Sequence, residues 1–367
     1  MTFAASAELP PDGSKRAKRI DTAKTERKHL VKKLRQPVPN MSRITGIYCP
    51  NIVPFRHDGS INEDELRKIV SWLIDKGISG LYPNGSTGEF ARLSFEERLR
   101  VVEIVAAENQ GRVPILAGAA ENSIDLVIQA ARRYADIGIR AISLTGPYFF
   151  KVSPDGVEAY FREVSRRCPL DIVLYNIPQF ANEIPVEVIR RLAADCPNIV
   201  GTKDSSRDMP RFLHTLNVMR QTREDFSILV GCEEILYPTL MMGGDGGTLA
   251  SSGVIPEPIL KIYQDFQAGR FDECRRVQFK VLELIEAMLR AGNFPEGFRA
   301  GAALRGFQPG PSRQPASERE KQFLGEMQAR MACLLAECGF AEAAAQCRRG
   351  AGTDVSAMLE RLRRRLP

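Results

Sequence analysis

The sequence predicts an α/β protein: a (β/α)8 TIM barrel with a C-terminal helical extension. Three observations carry that reading. From about residue 44, short apolar or β-branched runs alternate with amphipathic stretches of ten to twenty residues, the pattern of a parallel sheet. Eight such units occupy about 210 residues, the size of a closed eight-fold barrel. Beyond residue 255 the apolar spacing is helical only. An open doubly wound sheet would carry a glycine-rich phosphate turn after its first strand, and "YCPNIVPF" is not one.

Taken in order, residues 1–40 hold ten basic and four acidic residues and four prolines, and read as a basic, disordered arm. It is expected to be a solvated tail rather than a nucleic-acid or membrane contact. The barrel is assigned to residues 41–255. Its strand candidates are "ITGIYC" (44–49), "ISGLYP" (78–83), "VPILAG" (113–118), "IRAISLT" (139–145), "DIVLYN" (171–176), "NIVGTK" (198–203), "FSILVG" (226–231) and "GGTLAS" (246–251). Each is short and rich in residues that suit a strand buried on both faces. Between them lie helices such as "SFEERLRVVEIVAAEN", where Ser94 and Glu97 have capping-box spacing. Residues 256–342 read as the helical extension, with the proline-rich connector "FQPGPSRQP" inside it. Residues 343–367 read as a basic tail.

Composition narrows the function classes. With 44% hydrophobic and 26% charged residues, the chain is ordinary for a soluble globular protein. No apolar run is long enough for a membrane span, and the N-terminus lacks the apolar stretch of a signal peptide. The net charge of +6 comes from the two ends, so the body is mildly acidic and has no nucleic-acid footprint. Eight scattered cysteines without a Cys-x-x-Cys pair read as reduced thiols in a cytoplasmic protein. Three unclustered histidines offer no metal site.

In such barrels the chemistry sits at the C-terminal ends of the strands. The sixth strand delivers "TKDSS" there. A lysine at Lys203, inside a barrel, is desolvated, which favours the neutral amine. That amine can attack a ketone, and the resulting iminium is an electron sink. The competing arrangement is an ion pair between Lys203 and Asp204. Tyr175 ends the preceding strand, within reach of the lysine, and a phenol can relay protons. "GSTGE" after the second strand offers Gly85, Ser86 and Thr87 as a cradle for a carboxylate. Ser205 and the pair Glu233 and Glu234 complete the candidate substrate-binding set.

These parts, with "YNIP", "GTKDSS" and "GGDGG" in order from about residue 44 to 315, resemble the dihydrodipicolinate synthase / N-acetylneuraminate lyase family of Schiff-base aldolases. The resemblance implies Lys203 as the Schiff-base lysine and Tyr175 as the proton relay. It also implies Ser86 and Thr87 on the carboxylate of a 2-oxo acid such as pyruvate, an aldehyde as second partner, and a homotetramer. No metal or organic cofactor is expected. Departures shape the choice of member. Phe180 stands where the synthases have a carboxylate-binding arginine, and Phe149 where they have a second relay tyrosine. Glu233 and Glu234 stand near the sialic-acid lyases' Asp-Glu pair, while Ala250 replaces their serine. The expected activity is therefore aldol cleavage or condensation on pyruvate, or dehydration of a 2-keto-3-deoxy sugar acid. A true dihydrodipicolinate synthase and a non-catalytic barrel serving as scaffold or sensor are the alternatives.

Overall fold

The eight strand candidates all become strands, and they close on themselves. The computed structural model describes residues 43–291 and 293–337. The expected arm (1–40), the end of the extension (338–342) and the basic tail (343–367) lie outside the described residues. The strands are Gly46–Cys49 (β1), Gly80–Leu81 (β2), Leu116–Gly118 (β3), Ala141–Thr145 (β4), Asp171–Asn176 (β5), Ile199–Asp204 (β6), Ser227–Val230 (β7) and Gly246–Thr248 (β8). All pairings are parallel, in the order β2-β1-β8-β7-β6-β5-β4-β3. A parallel bridge from Leu81 to Ile115 joins the two ends, with Leu81 N donating to Pro114 O at 3.0 Å.

The helices follow their strands: Glu63–Asp75 (α1), Phe95–Asn109 (α2), Ile124–Asp136 (α3), Pro154–Arg167 (α4), Val186–Asp195 (α5), Met209–Thr222 (α6), Leu236–Met241 (α7) and Pro256–Gln267 (α8). The expected capping box closes α2: Ser94 Oγ accepts from Glu97 N and the Glu97 carboxylate accepts from Ser94 N. Alternation sorts the strand side chains. On β4, Ile142 and Leu144 join the apolar shell between sheet and helices, while the Ser143 hydroxyl meets Tyr82 inside the barrel. The eighth unit runs through α8, which packs on β1. Beyond it, Phe271–Arg290 (α9), Glu296–Leu304 (α10) and Glu318–Glu337 (α11) pack on one another.

One expectation needs correction. Cys49, Cys168, Cys196, Cys232 and Cys274 are free thiols, as read, but Cys333 is disulfide-bonded. Spacing along a sequence does not reveal which cysteines pair.

Candidate active site

Lys203 is the last inward-facing residue of β6 and only 4% exposed. Register explains its surroundings. Thr145, Tyr175 and Lys203 are successive Cα partners across β4, β5 and β6, so the three side chains share one layer of the barrel interior. The Lys203 Nζ lies 4.0 Å from the centroid of the Tyr175 ring and 4.6 Å from that of Tyr82. Two aromatic faces thus hold the amine without neutralising it by a carboxylate.

Asp204 does not pair with Lys203. Strand alternation turns it outward, where its carboxylate is fully engaged. Oδ1 accepts from Ser206 N (2.8 Å) and Ser206 Oγ (2.5 Å); Oδ2 accepts from Asn176 Nδ2 (3.0 Å) and Arg211 Nε (2.9 Å). Arg211 also reaches Glu183 and Ile184 O, tying the ends of β5 and β6 to α6. Among the described residues no carboxylate lies within 4.0 Å of Lys203. The choice left open by "KD" is settled by these four acceptor contacts.

The cradle reaches the same layer. Ser86 Oγ stands 3.4 Å from the Tyr175 hydroxyl, within hydrogen-bonding reach. Thr87 is buried beside it. Gly85 lies against Tyr82, where a Cβ would come within 2.7 Å of the ring. Ser205 is buried and its hydroxyl faces Gly231 O at 3.4 Å. Lys203, Tyr175, Ser86, Thr87 and Ser205 therefore gather at one end of the barrel.

The two glutamates part company. Glu233 is buried, and its Oε1 accepts from Ser251 N at 2.6 Å, bracing the turn after β8 against the end of β7. Burial, helped by the neighbouring Glu234 charge, raises its pKa above the ordinary glutamate range. Glu234 reaches the other way and pairs with Arg207 Nε at 3.1 Å.

Several residues of the site were not among the sequence candidates. Tyr82 contributes the second ring and bonds Ser143 Oγ at 3.0 Å; burial raises its pKa, so it stays a protonated donor at neutral pH. The Thr145 hydroxyl is buried beside Tyr175 without a hydrogen-bond partner among the described residues. Glu89, at the end of the cradle, is buried against Arg299 of α10 at 3.0 Å. Alternation marks Thr145 as inward, but a contact 210 residues away has no local trace. The "GGDGG" motif lies at the opposite face. There the Asp245 carboxylate accepts from Ile228 N at the start of β7 and pairs with Arg43 and Arg220, a structural latch. Among the described residues no group of three or more His, Cys, Asp or Glu is placed to hold a metal ion.

Known proteins share this barrel. A family model described as the dihydrodipicolinate synthetase family matches residues 43–333. A 4-hydroxy-tetrahydrodipicolinate synthase from Methanospirillum hungatei is 31% identical over 280 residues, covering 76% of this chain and 94% of its own length. A probable 2-dehydro-3-deoxy-D-pentonate aldolase from Escherichia coli is 30% identical over 245 residues, covering 66% of this chain and 81% of its own. Among solved structures, a 2-keto 3-deoxygluconate aldolase from Picrophilus torridus superposes with a TM-score of 0.70 at 27% identity, covering 74% of this chain and 97% of that one.

Proposed function

The chain belongs to the dihydrodipicolinate synthetase family of lyases, and from that premise we propose that it acts through a Schiff base on Lys203 with pyruvate or a 2-keto-3-deoxy sugar acid. The observation that carries this reading is the amine of Lys203, buried between two tyrosine rings and free of Asp204.

Ser86, Thr87 and the backbone N–H groups of the cradle hold the carboxylate of the 2-oxo acid. The neutral Lys203 amine adds to the 2-oxo carbon. Tyr175 returns a proton to the carbinolamine oxygen, water leaves, and an iminium remains. Tyr175 takes a C3 proton to give the enamine and passes it to the aldehyde oxygen as the enamine attacks the aldehyde carbon; water then releases product and restores the amine. In the cleavage direction the same steps run backwards. Dehydration of a sugar acid uses the same iminium to expel a hydroxyl as water.

A 2-keto-3-deoxy sugar acid fits this chain better than aspartate semialdehyde. Phe180, 57% exposed, supplies no charge where the synthases place an arginine, and Phe149 supplies no hydroxyl. The likeness to the pentonate and deoxygluconate aldolases supports the same choice. A homotetramer and a cytoplasmic setting belong to this reading.

The test is borohydride trapping with pyruvate, read by intact mass. Wild type is expected to gain one reduced pyruvate adduct, and Lys203→Ala none. No adduct on wild type, or an undiminished one on the variant, overturns the proposal. Turnover of pyruvate with aspartate semialdehyde, in preference to hydroxylated aldehydes, would assign the synthase activity instead.

A further inference from the structure

Five described residues other than glycine have a left-handed backbone: Asn84, Glu89, Gln110, Phe149 and Arg207. Gln110 closes a helix. The other four lie on the loops after β2, β4 and β6, at the end of the barrel that holds Lys203. Backbone strain of this kind gathers where a side chain must be placed for function.

Arg207 is the informative case. Its φ of 63° suits glycine, and glycine would relieve the strain there. The residue follows Ser205 and Ser206 on the loop after β6 and precedes Asp208, the N-cap of α6. Its side chain crosses to the β7 loop, where Nε contacts Glu234 Oε1 at 3.1 Å. The guanidinium is half exposed, and an exposed ion pair adds little stability. Stability alone therefore gives no reason for an arginine at this position.

We infer that Arg207, paired with Glu234, selects the aldehyde partner by binding the hydroxyl groups of its distal tail. This rests on the Schiff-base reading and deepens it. The pair combines a donor fork with a carboxylate acceptor and has no net charge. Adjacent hydroxyls both donate and accept, so they match such a pair. A distal carboxylate would meet the Glu234 charge. The β6 and β7 loops flank Lys203: Ser205 and Lys203 both crowd Gly231, one residue before Cys232 and three before Glu234. A tail extending outward from an enamine on Lys203 passes between them.

The test compares pyruvate condensation with glyceraldehyde, acetaldehyde and succinic semialdehyde in wild type, Arg207→Gly and Arg207→Lys. Glycine suits the backbone, so Arg207→Gly is expected to fold and to melt no lower than wild type. Its kcat/KM for glyceraldehyde should fall about tenfold, chiefly through KM, as for loss of hydrogen bonds to a charged group. The loss on acetaldehyde should be several-fold smaller, and Arg207→Lys should recover only part of the difference. Equal losses on glyceraldehyde and acetaldehyde, no loss at all, or the largest loss on succinic semialdehyde would overturn the inference. So would a wild type that traps pyruvate yet condenses it with no hydroxylated aldehyde. A wild type that traps no pyruvate overturns the Schiff-base reading itself.

Discussion

At the scale of single residues, Lys203 depends on its neighbours making room. Gly231 follows β7, and a Cβ there would lie 2.8 Å from Lys203 Cε and 2.0 Å from Ser205 Oγ. Gly231→Ala must displace the amine from its place between the rings. Because small misplacements of a reacting group are costly, kcat/KM is expected to fall about a hundredfold with little change in melting temperature. An alanine variant of full activity would show that the amine tolerates movement. Glu233 carries a pH prediction. Its raised pKa means that the folded state keeps this proton to higher pH than the unfolded chain. The stability it contributes is full below the ordinary glutamate range and is lost as pH rises through the raised value. Glu233→Gln keeps an acceptor for Ser251 N and removes the titration. Its stability relative to wild type should therefore grow between about pH 4 and pH 7, measured by urea midpoints. A constant difference across that range would mean that the carboxylate is not held protonated.

At the scale of elements, the cradle is anchored from far along the chain. Arg299 on α10 is 3% exposed and bonds Glu89, Val53 O and Pro309 O. The β2 loop that carries Ser86 and Thr87 is thus held by the helical extension. Glu89 Oε2 also accepts from Arg92 at 2.7 Å, so removing Arg299 leaves the carboxylate one cation and strands the carbonyls that Arg299 bonds. Arg299→Met is expected to cost about 3 kcal/mol of stability, and adding Glu89→Gln to it less than Glu89→Gln costs alone. A double-variant cost equal to the sum of the two single costs, measured by denaturant unfolding, would show that the pair is not coupled. The strands were legible because buried parallel strands are short, apolar and β-branched. The bracing of Glu89 was not, because an ion pair between residues 89 and 299 leaves no periodicity in either segment.

At the scale of the whole molecule, the mouth of the barrel exposes aromatic surface. Phe149 is 89% exposed with a φ of 76°, and Phe150 packs edge-on against it at 5.0 Å. The homotetramer proposed above would bury apolar surface of this kind. Phe149→Ser with Phe150→Ser is expected to lower the mass measured by light scattering. An unchanged mass would place the assembly surface elsewhere. Among the described residues no helix is long and apolar enough to cross a membrane.

The barrel, the order of its strands and the place of Lys203 were legible in the sequence. Those follow from local periodicity and from the rule that parallel strands display their chemistry at one end. "NIVGTKDSS" placed Lys203 at such an end without any structure. What surrounds Lys203 emerges from contacts between distant segments. Asp204 turns outward to Arg211 and Asn176, Tyr82 supplies a second ring, Glu233 braces a turn while Glu234 meets Arg207, and "GGDGG" serves the far face. The physical reason is that charge pairing and ring contact depend on distance in space. Strand register and the return of the last helices set those distances between residues far apart in the chain.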